Sequence, residues 1–356
     1  MGKQFIKGCE AIAEAAIRAG CTFYAGYPIT PQNEIPEYMS ARMPDLGRTF
    51  IQGESEIASI SMLYGASAVG ARVMTSSSGP GMALKAEGIS YLASADLPAV
   101  IVNVSRSGPG MGKISPAQTD YWFSVKASGH GGYKTMVFAP ANVQEAVNLT
   151  YEAFDYADRD RNPVIVLADG IIGAMMESVS LPEFKTVFPD KSGWVADGCE
   201  AREPRIIKNS AVDNETWEKY KISRAGMYES WRKNDVRVEE YLVEDAEFIL
   251  TGYGTCARIA KTAVRELRAE GMKVGLIRPI TLQPFPYESY RRLDPARVRA
   301  ILDVEMSIPV QMIEDVQLGV CNKIPVFPLG RDGGFTPLHQ DIITEMKRIS
   351  AGQGGE

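Results

Sequence analysis

From the N-terminus to about residue 180, short apolar runs rich in β-branched and aromatic residues ("TFYAGY", "RTFIQ", "ARVMT", "PAVIVNV", "YKTMVF", "PVIVLA") alternate with longer amphipathic stretches such as "GCEAIAEAAIRAG", "ESEIASISMLYGASAVG" and "GMALKAEGISYLASA". Runs that are hydrophobic throughout, rather than at every second residue, read as strands buried on both faces. With helices between them they predict an α/β domain built on a parallel sheet. The rhythm breaks over 183–240, where "KNSAVDNETWEKYKISRAGMYESWRKNDVRVEEYL" carries many charges and few strand-like runs. That segment reads as a linker with a helix of its own, whose aromatics dock it onto a surface. Alternation returns in "AEFILTGYGTCARIAKTAVRELRAEGMKVGLIRPITLQPFP", and "VRAILDVEM" adds a third strand. The expected division is a first domain over 1–182, the linker over 183–240 and a smaller α/β domain over 241–356.

Composition narrows the function classes. The chain has 356 residues, 45% apolar and 23% charged, enough for roughly two domains with real cores. A net charge of -6 offers no basic stripe for nucleic acid and no polybasic membrane surface. Cys9, Cys21, Cys199, Cys256 and Cys321 lie far apart, without the local spacing of a zinc site or an iron–sulfur cluster. The start "MGKQFIKGCEAIAEA" has no apolar signal core, and no apolar run approaches the roughly 20 residues that span a bilayer. A soluble, cytoplasmic protein acting on small molecules or proteins is expected.

In open parallel sheets, ligands bind beyond the carboxyl ends of the strands, where loops lead into helices. The first such loop is "GYPITPQNEIPEY". Thr30 can cap a helix and Pro31 suits its first position, leaving free N–H groups that bind an anion or simply belong to a well-capped helix. The second loop places Glu54 and Glu56 at a helix start, where the dipole stabilises a carboxylate whether or not it does chemistry. The third, "TSSSGPGMALKAE", is a glycine turn that permits close backbone approach. In the fourth, Arg106 ends the strand "PAVIVNV", placed to grip a carboxylate or to sit in solvent, and Asp120 can anchor the loop. Neither glycine loop is a nucleoside-triphosphate loop: "SRSGPGMGK" is too short between Gly108 and Gly112, and Ile114 replaces the hydroxyl residue after Lys113. His130 can line a pocket, His339 reads as surface, and no serine-hydrolase elbow is present.

Taken together, "GYPITP", "ESEIAS", "TSSSGPG", "VNVSRSGPG" and "LIRPITLQPFP" resemble the α subunit of 2-oxoacid:ferredoxin oxidoreductases over nearly the whole chain, with "GYPITPQNEIPEYMS" most like the branched-chain 2-oxoacid branch. The resemblance implies a thiamine diphosphate pyrimidine-type domain followed by a transketolase C-terminal-like domain. It implies Glu56 at the aminopyrimidine nitrogen, with Pro28 and Ile29 also at the cofactor, and Thr30 and Arg106 at the substrate. The implied reaction is coenzyme A-dependent oxidative decarboxylation of 3-methyl-2-oxobutanoate, with electrons passing to ferredoxin in an anaerobic metabolism. The same assembly acting on 2-oxoglutarate or pyruvate is the alternative, and a non-catalytic assembly subunit is the alternative of another class. "LADGIIG" lacks the Gly-Asp-Gly pattern that binds magnesium and diphosphate, and clustered cysteines are missing. Magnesium, the diphosphate grip and the iron–sulfur clusters are therefore expected on β, γ and ferredoxin-like δ chains of a hetero-oligomer.

Overall fold

The computed structural model of the chain describes residues 2–211 and 213–352. Its main sheet runs, edge to edge, Thr281–Gln283, Met136–Phe138, Pro163–Asp169, Ala99–Ser107, Val73–Ser77, Phe23–Gly26 and Thr49–Gln52. From Met136–Phe138 onward every neighbouring pair is parallel. The three central strands are buried at every residue, as their unbroken apolar runs require. Side chains alternate across this sheet: Val100 and Val102 face the helices Gly8–Arg18 and Val143–Asp160, around Ile12, Ile17 and Phe154. Ile101 faces the helices Glu56–Ala68 and Gly79–Ser94, around Leu63, Ile89 and Leu92.

The second sheet has the order Val238–Tyr241, Val274–Pro279, Phe248–Thr251, Ala300–Glu305, Val326–Gly330. Its first strand is antiparallel and the rest are parallel. The α/β class and its two parallel sheets agree with the sequence reading.

The two sheets are not independent. Beyond Pro279 the chain crosses to the first domain and pairs Thr281–Gln283 antiparallel with Met136–Phe138. Gln118 Nε2 donates to the Tyr253 carbonyl and Tyr253 Oη donates to the Gln118 carbonyl, at 2.8 and 2.9 Å. Asp315 accepts from Tyr121, Lys126 and Tyr287. The helix Asn214–Asn234 is capped by Asp213, which accepts from Thr216 N, and it docks through Trp231. That ring is 1% exposed and donates Nε1–H to Asp160.

Asp303 and Glu305 point the same way from the strand Ala300–Glu305 and are fully buried. Glu305 accepts the N–H groups of Gln311 and Met312, so it shapes the loop that meets Gln118. Burial pushes Glu305 up to about 7, and burial together with the charge of Glu305 pushes Asp303 well above the usual carboxylate range. The folded chain then holds protons that the unfolded chain releases, so this stability is full below the ordinary carboxylate pKa and is lost as pH rises through about 7. The melting temperature of the full chain is expected to fall by several degrees between about pH 5 and about pH 8, with a shallower slope in Asp303→Asn. Scanning calorimetry at constant ionic strength checks this, and a flat profile contradicts it.

Candidate active site

Two glycines in the turn after Val73–Ser77 bring the candidate residues together. Gly79 sits at φ +45°, and a Cβ there would lie 3.1 Å from Arg106 Nε. A Cβ on Gly81 would lie 2.2 Å from Ser77 Oγ and 2.4 Å from Glu56 Oε1. A side chain at either glycine would press on the guanidinium or the carboxylate, which now pack against the same turn.

Glu56 is the first residue of the helix Glu56–Ala68, and the Ser55 hydroxyl caps that helix by accepting from Ala58 N at 3.1 Å. The Glu56 side chain is 5% exposed, whereas Glu54 is exposed. Arg106 is 4% exposed. Its Nη1 and Nη2 donate to the carbonyls of Thr30 and Met111, both at 2.9 Å, while its Nε has no partner.

Thr30 thus meets Arg106 through its carbonyl. Its hydroxyl is exposed and accepts from Asn33 Nδ2 at 3.4 Å. Pro28 is exposed and Ile29 half-buried in the same loop. The expected helix start is displaced: the helix runs Glu34–Asp45, with Asn33 at its N-cap, so Thr30 does not cap it and Pro31 is not its first residue. The reason lies in Gln32, which is wholly buried and accepts from the Ser76 hydroxyl, itself 2.6 Å from Tyr24 Oη. That anchorage holds residues 29–32 in a turn, closed by Gln32 N–H to the Ile29 carbonyl at 3.1 Å, before helical bonding begins.

Asp120 accepts from Asn103 Nδ2 at 3.1 Å and from the Gly79 N–H. Burial raises its pKa, against those hydrogen bonds and the Arg106 charge. It is the anchor between the third and fourth loops. Ser77 Oγ, Ser78 Oγ, Asn103 Oδ1, Ser105 Oγ and Arg106 Nε are buried without a partner, so hydrogen-bonding capacity is left free toward the carboxyl ends of the strands Val73–Ser77 and Ala99–Ser107.

Lys85 was not singled out by the sequence, yet it is wholly buried, and its Nζ donates to Thr75 Oγ1 and the Ser76 carbonyl. Its spacing of four from Gly81, on the same face of a helix, was the available signal. His130 is exposed and lines a separate cavity of about 350 Å³ with Tyr133, Trp217, Tyr220 and Tyr228. His339 is exposed at the start of the last helix. A cleft of about 1100 Å³ lies between the domains, and Glu56 does not line it. Its charges bind one another, Arg278 to Glu145 and Glu239, Arg258 to Glu177 and Lys261 to Glu239, which makes it an ion-paired seam.

Residues 14–219 match the family model "Pyruvate flavodoxin/ferredoxin oxidoreductase, thiamine diP-bdg", and residues 246–342 match "Pyruvate:ferredoxin oxidoreductase core domain II". The chain belongs to the 2-oxoacid:ferredoxin oxidoreductase family. It is 45% identical to ketoisovalerate oxidoreductase subunit VorB of Methanothermobacter marburgensis, covering 98% of this chain and 99% of the relative. It is 36% identical to 2-oxoglutarate synthase subunit KorA of Archaeoglobus fulgidus, covering 91% and 93%. The 2-oxoglutarate:ferredoxin oxidoreductase from Magnetococcus marinus superposes with a TM-score of 0.84 at 23% identity, over 98% of this chain and 65% of that one. A split-gene transketolase superposes with a TM-score of 0.60 at 14% identity, over 97% of this chain and 98% of that one; both likenesses speak to fold. This 2-oxoacid:ferredoxin oxidoreductase subunit therefore carries a thiamine diphosphate-binding type of first domain, and the unpartnered Ser77 hydroxyl with the Glu56 carboxylate beside Gly81 is a donor and acceptor set chemically suited to a polar ring. Among its described residues, no helix is long and apolar enough to cross a membrane.

Gly81→Ala sets a methyl group where Glu56 Oε1 now packs. The substituted subunit, assembled with its partners, is expected to lose roughly a hundred-fold in turnover while its melting temperature moves only a few degrees. Steady-state dye reduction alongside calorimetry checks this, and full activity in the variant would contradict the packing argument.

Proposed function

We propose that this chain is the α-type subunit of an enzyme that oxidatively decarboxylates 3-methyl-2-oxobutanoate. Each turnover converts the 2-oxoacid and coenzyme A to the acyl thioester and carbon dioxide, with two electrons passing to two ferredoxins and one proton released. The observation that carries the substrate choice is the 45% identity to a ketoisovalerate oxidoreductase subunit across both chains, against 36% to a 2-oxoglutarate synthase subunit.

Glu56 is proposed to hold and exchange a proton with the cofactor's pyrimidine ring. A buried carboxylate in the first turn of a capped helix is suited to that role because little solvent competes for its proton. Pro28 and Ile29 would form the wall of the same seat. Arg106 would orient the substrate carboxylate: two of its five N–H groups are engaged by carbonyls, which fixes the plane of the fork and leaves Nε–H and the remaining donors. Thr30 would present its exposed hydroxyl beside that fork. Thiamine diphosphate, when bound, supplies the electron sink for breaking the bond to the carboxyl carbon.

The diphosphate and magnesium are assigned to a β chain and the iron–sulfur clusters to γ and δ chains. Asp169 of "LADGIIG" supports this division. Its carboxylate accepts from Ile171 N, Ile172 N, Thr255 N and Thr255 Oγ1, so it is committed to joining two helices.

Glu56→Gln in the assembled complex is expected to lower turnover by roughly a hundred-fold or more, leaving substrate binding within a few-fold. A panel of 2-oxoacids offered anaerobically with coenzyme A is expected to favour 3-methyl-2-oxobutanoate. Full dye reduction by the variant would support a scaffold role instead, and preference for 2-oxoglutarate or pyruvate would overturn the substrate.

A further inference from the structure

We infer that Lys85 is a positioning residue for Glu56, a buried ammonium whose charge acts on that carboxylate through the Gly81 turn. The inference rests on the role proposed for Glu56.

A lysine with no exposed surface is rare, because the ammonium gives up its hydration. The hydrogen bonds of Lys85 go to two neutral oxygens, the Thr75 hydroxyl and the Ser76 carbonyl. Neither returns a full charge for the one that is buried, so Lys85 is poorly explained as a device for stability.

The helix explains where its charge acts. Side chains on a helix lean toward its N-terminus, so Lys85 reaches back over the position four residues earlier, which is Gly81. Gly81 is where Glu56 Oε1 and Ser77 Oγ pack. The ammonium is bonded at Thr75 and Ser76, next to the Ser77 hydroxyl that shares Gly81 with the carboxylate. Glu56 is the ionised group that acts on Lys85, and it does so without a direct ion pair. Burial brings the Lys85 ammonium down to about 7, with the Glu56 charge opposing, so its charge is adjustable near neutral pH.

The elements packed on this pair bring few other charges. The strand Val73–Ser77 contributes the neutral side chains of Thr75, Ser76 and Ser77. On the helix of Lys85 itself, Glu87 accepts from the Tyr91 hydroxyl on the exposed side. The strand Ala99–Ser107 brings Arg106, whose charge is opposed by Asp120. The Lys85 ammonium and the Glu56 carboxylate therefore attract each other with little competition from other charges.

The test uses the assembled complex carrying Lys85→Met, which keeps the length and removes the charge, and Lys85→Gln, which keeps a donor for Thr75. Three quantities are read: turnover against pH, the pH dependence of thiamine diphosphate binding to the cofactor-free complex by tryptophan quenching, and the melting temperature. Both variants are expected to melt at or above the wild-type temperature. In both, the acid limb of the turnover profile and of cofactor binding should move up by about one pH unit, and turnover at neutral pH should fall roughly ten-fold. Wild-type pH profiles in a folded variant would overturn the inference. So would a loss of turnover that merely follows a lowered melting temperature in both variants. Failure of the Glu56 role itself is seen separately, as undiminished turnover in Glu56→Gln with lysine intact.

Discussion

A parallel sheet covered on both faces has polar backbone and side-chain atoms to offer only at its ends, and that constraint governs the molecule. Its central strands hold no exposed residue, and they turn from apolar to polar toward their carboxyl ends. The residues that end Val73–Ser77 and Ala99–Ser107 illustrate this: Thr75, Ser76, Ser77, Asn103 and Arg106 are all buried, and all lie on one side of the fold. Because the strands are parallel, those ends are adjacent, and loops far apart in the chain converge there.

Convergence alone does not make a reactive arrangement. The glycine turn does so by letting two opposite charges approach one piece of backbone from different sides, Arg106 at Gly79 and Glu56 at Gly81. Each charged group is held from behind. Backbone carbonyls fix Arg106, a helix cap and its dipole support Glu56, and Asp120 ties the turn to the neighbouring loop. Groups restrained in this way need little reorganisation when a ligand arrives, which is the physical basis of catalysis by preorganised charge.

The second domain reinforces the same end of the sheet. Gln118 and Asp120 flank Thr119, and the three reach the Tyr253 carbonyl, the Gln311 side chain and the Gly79 N–H. The fourth loop is thereby clamped between the domains rather than left free. The likeness to the Methanothermobacter marburgensis subunit covers 98% of this chain, as expected of a fold whose site loop needs both domains.

The sequence by itself determined the α/β class, the parallel sheets and the position of each loop that follows a strand. Continuous apolar runs and glycine turns are local properties of the chain, set by burial and backbone sterics. It also placed Glu56 at a helix start and Arg106 at a strand end, for the same local reason. Only the tertiary structure decided what those groups touch: that Arg106 is spent partly on carbonyls, that Gln32 delays the helix after Thr30, and that Thr281–Gln283 joins the other domain's sheet. Lys85 shows the limit most clearly, since its burial follows from helices and strands closing over it from both sides. Desolvation is a property of a surrounding volume, and no pattern along one dimension records it.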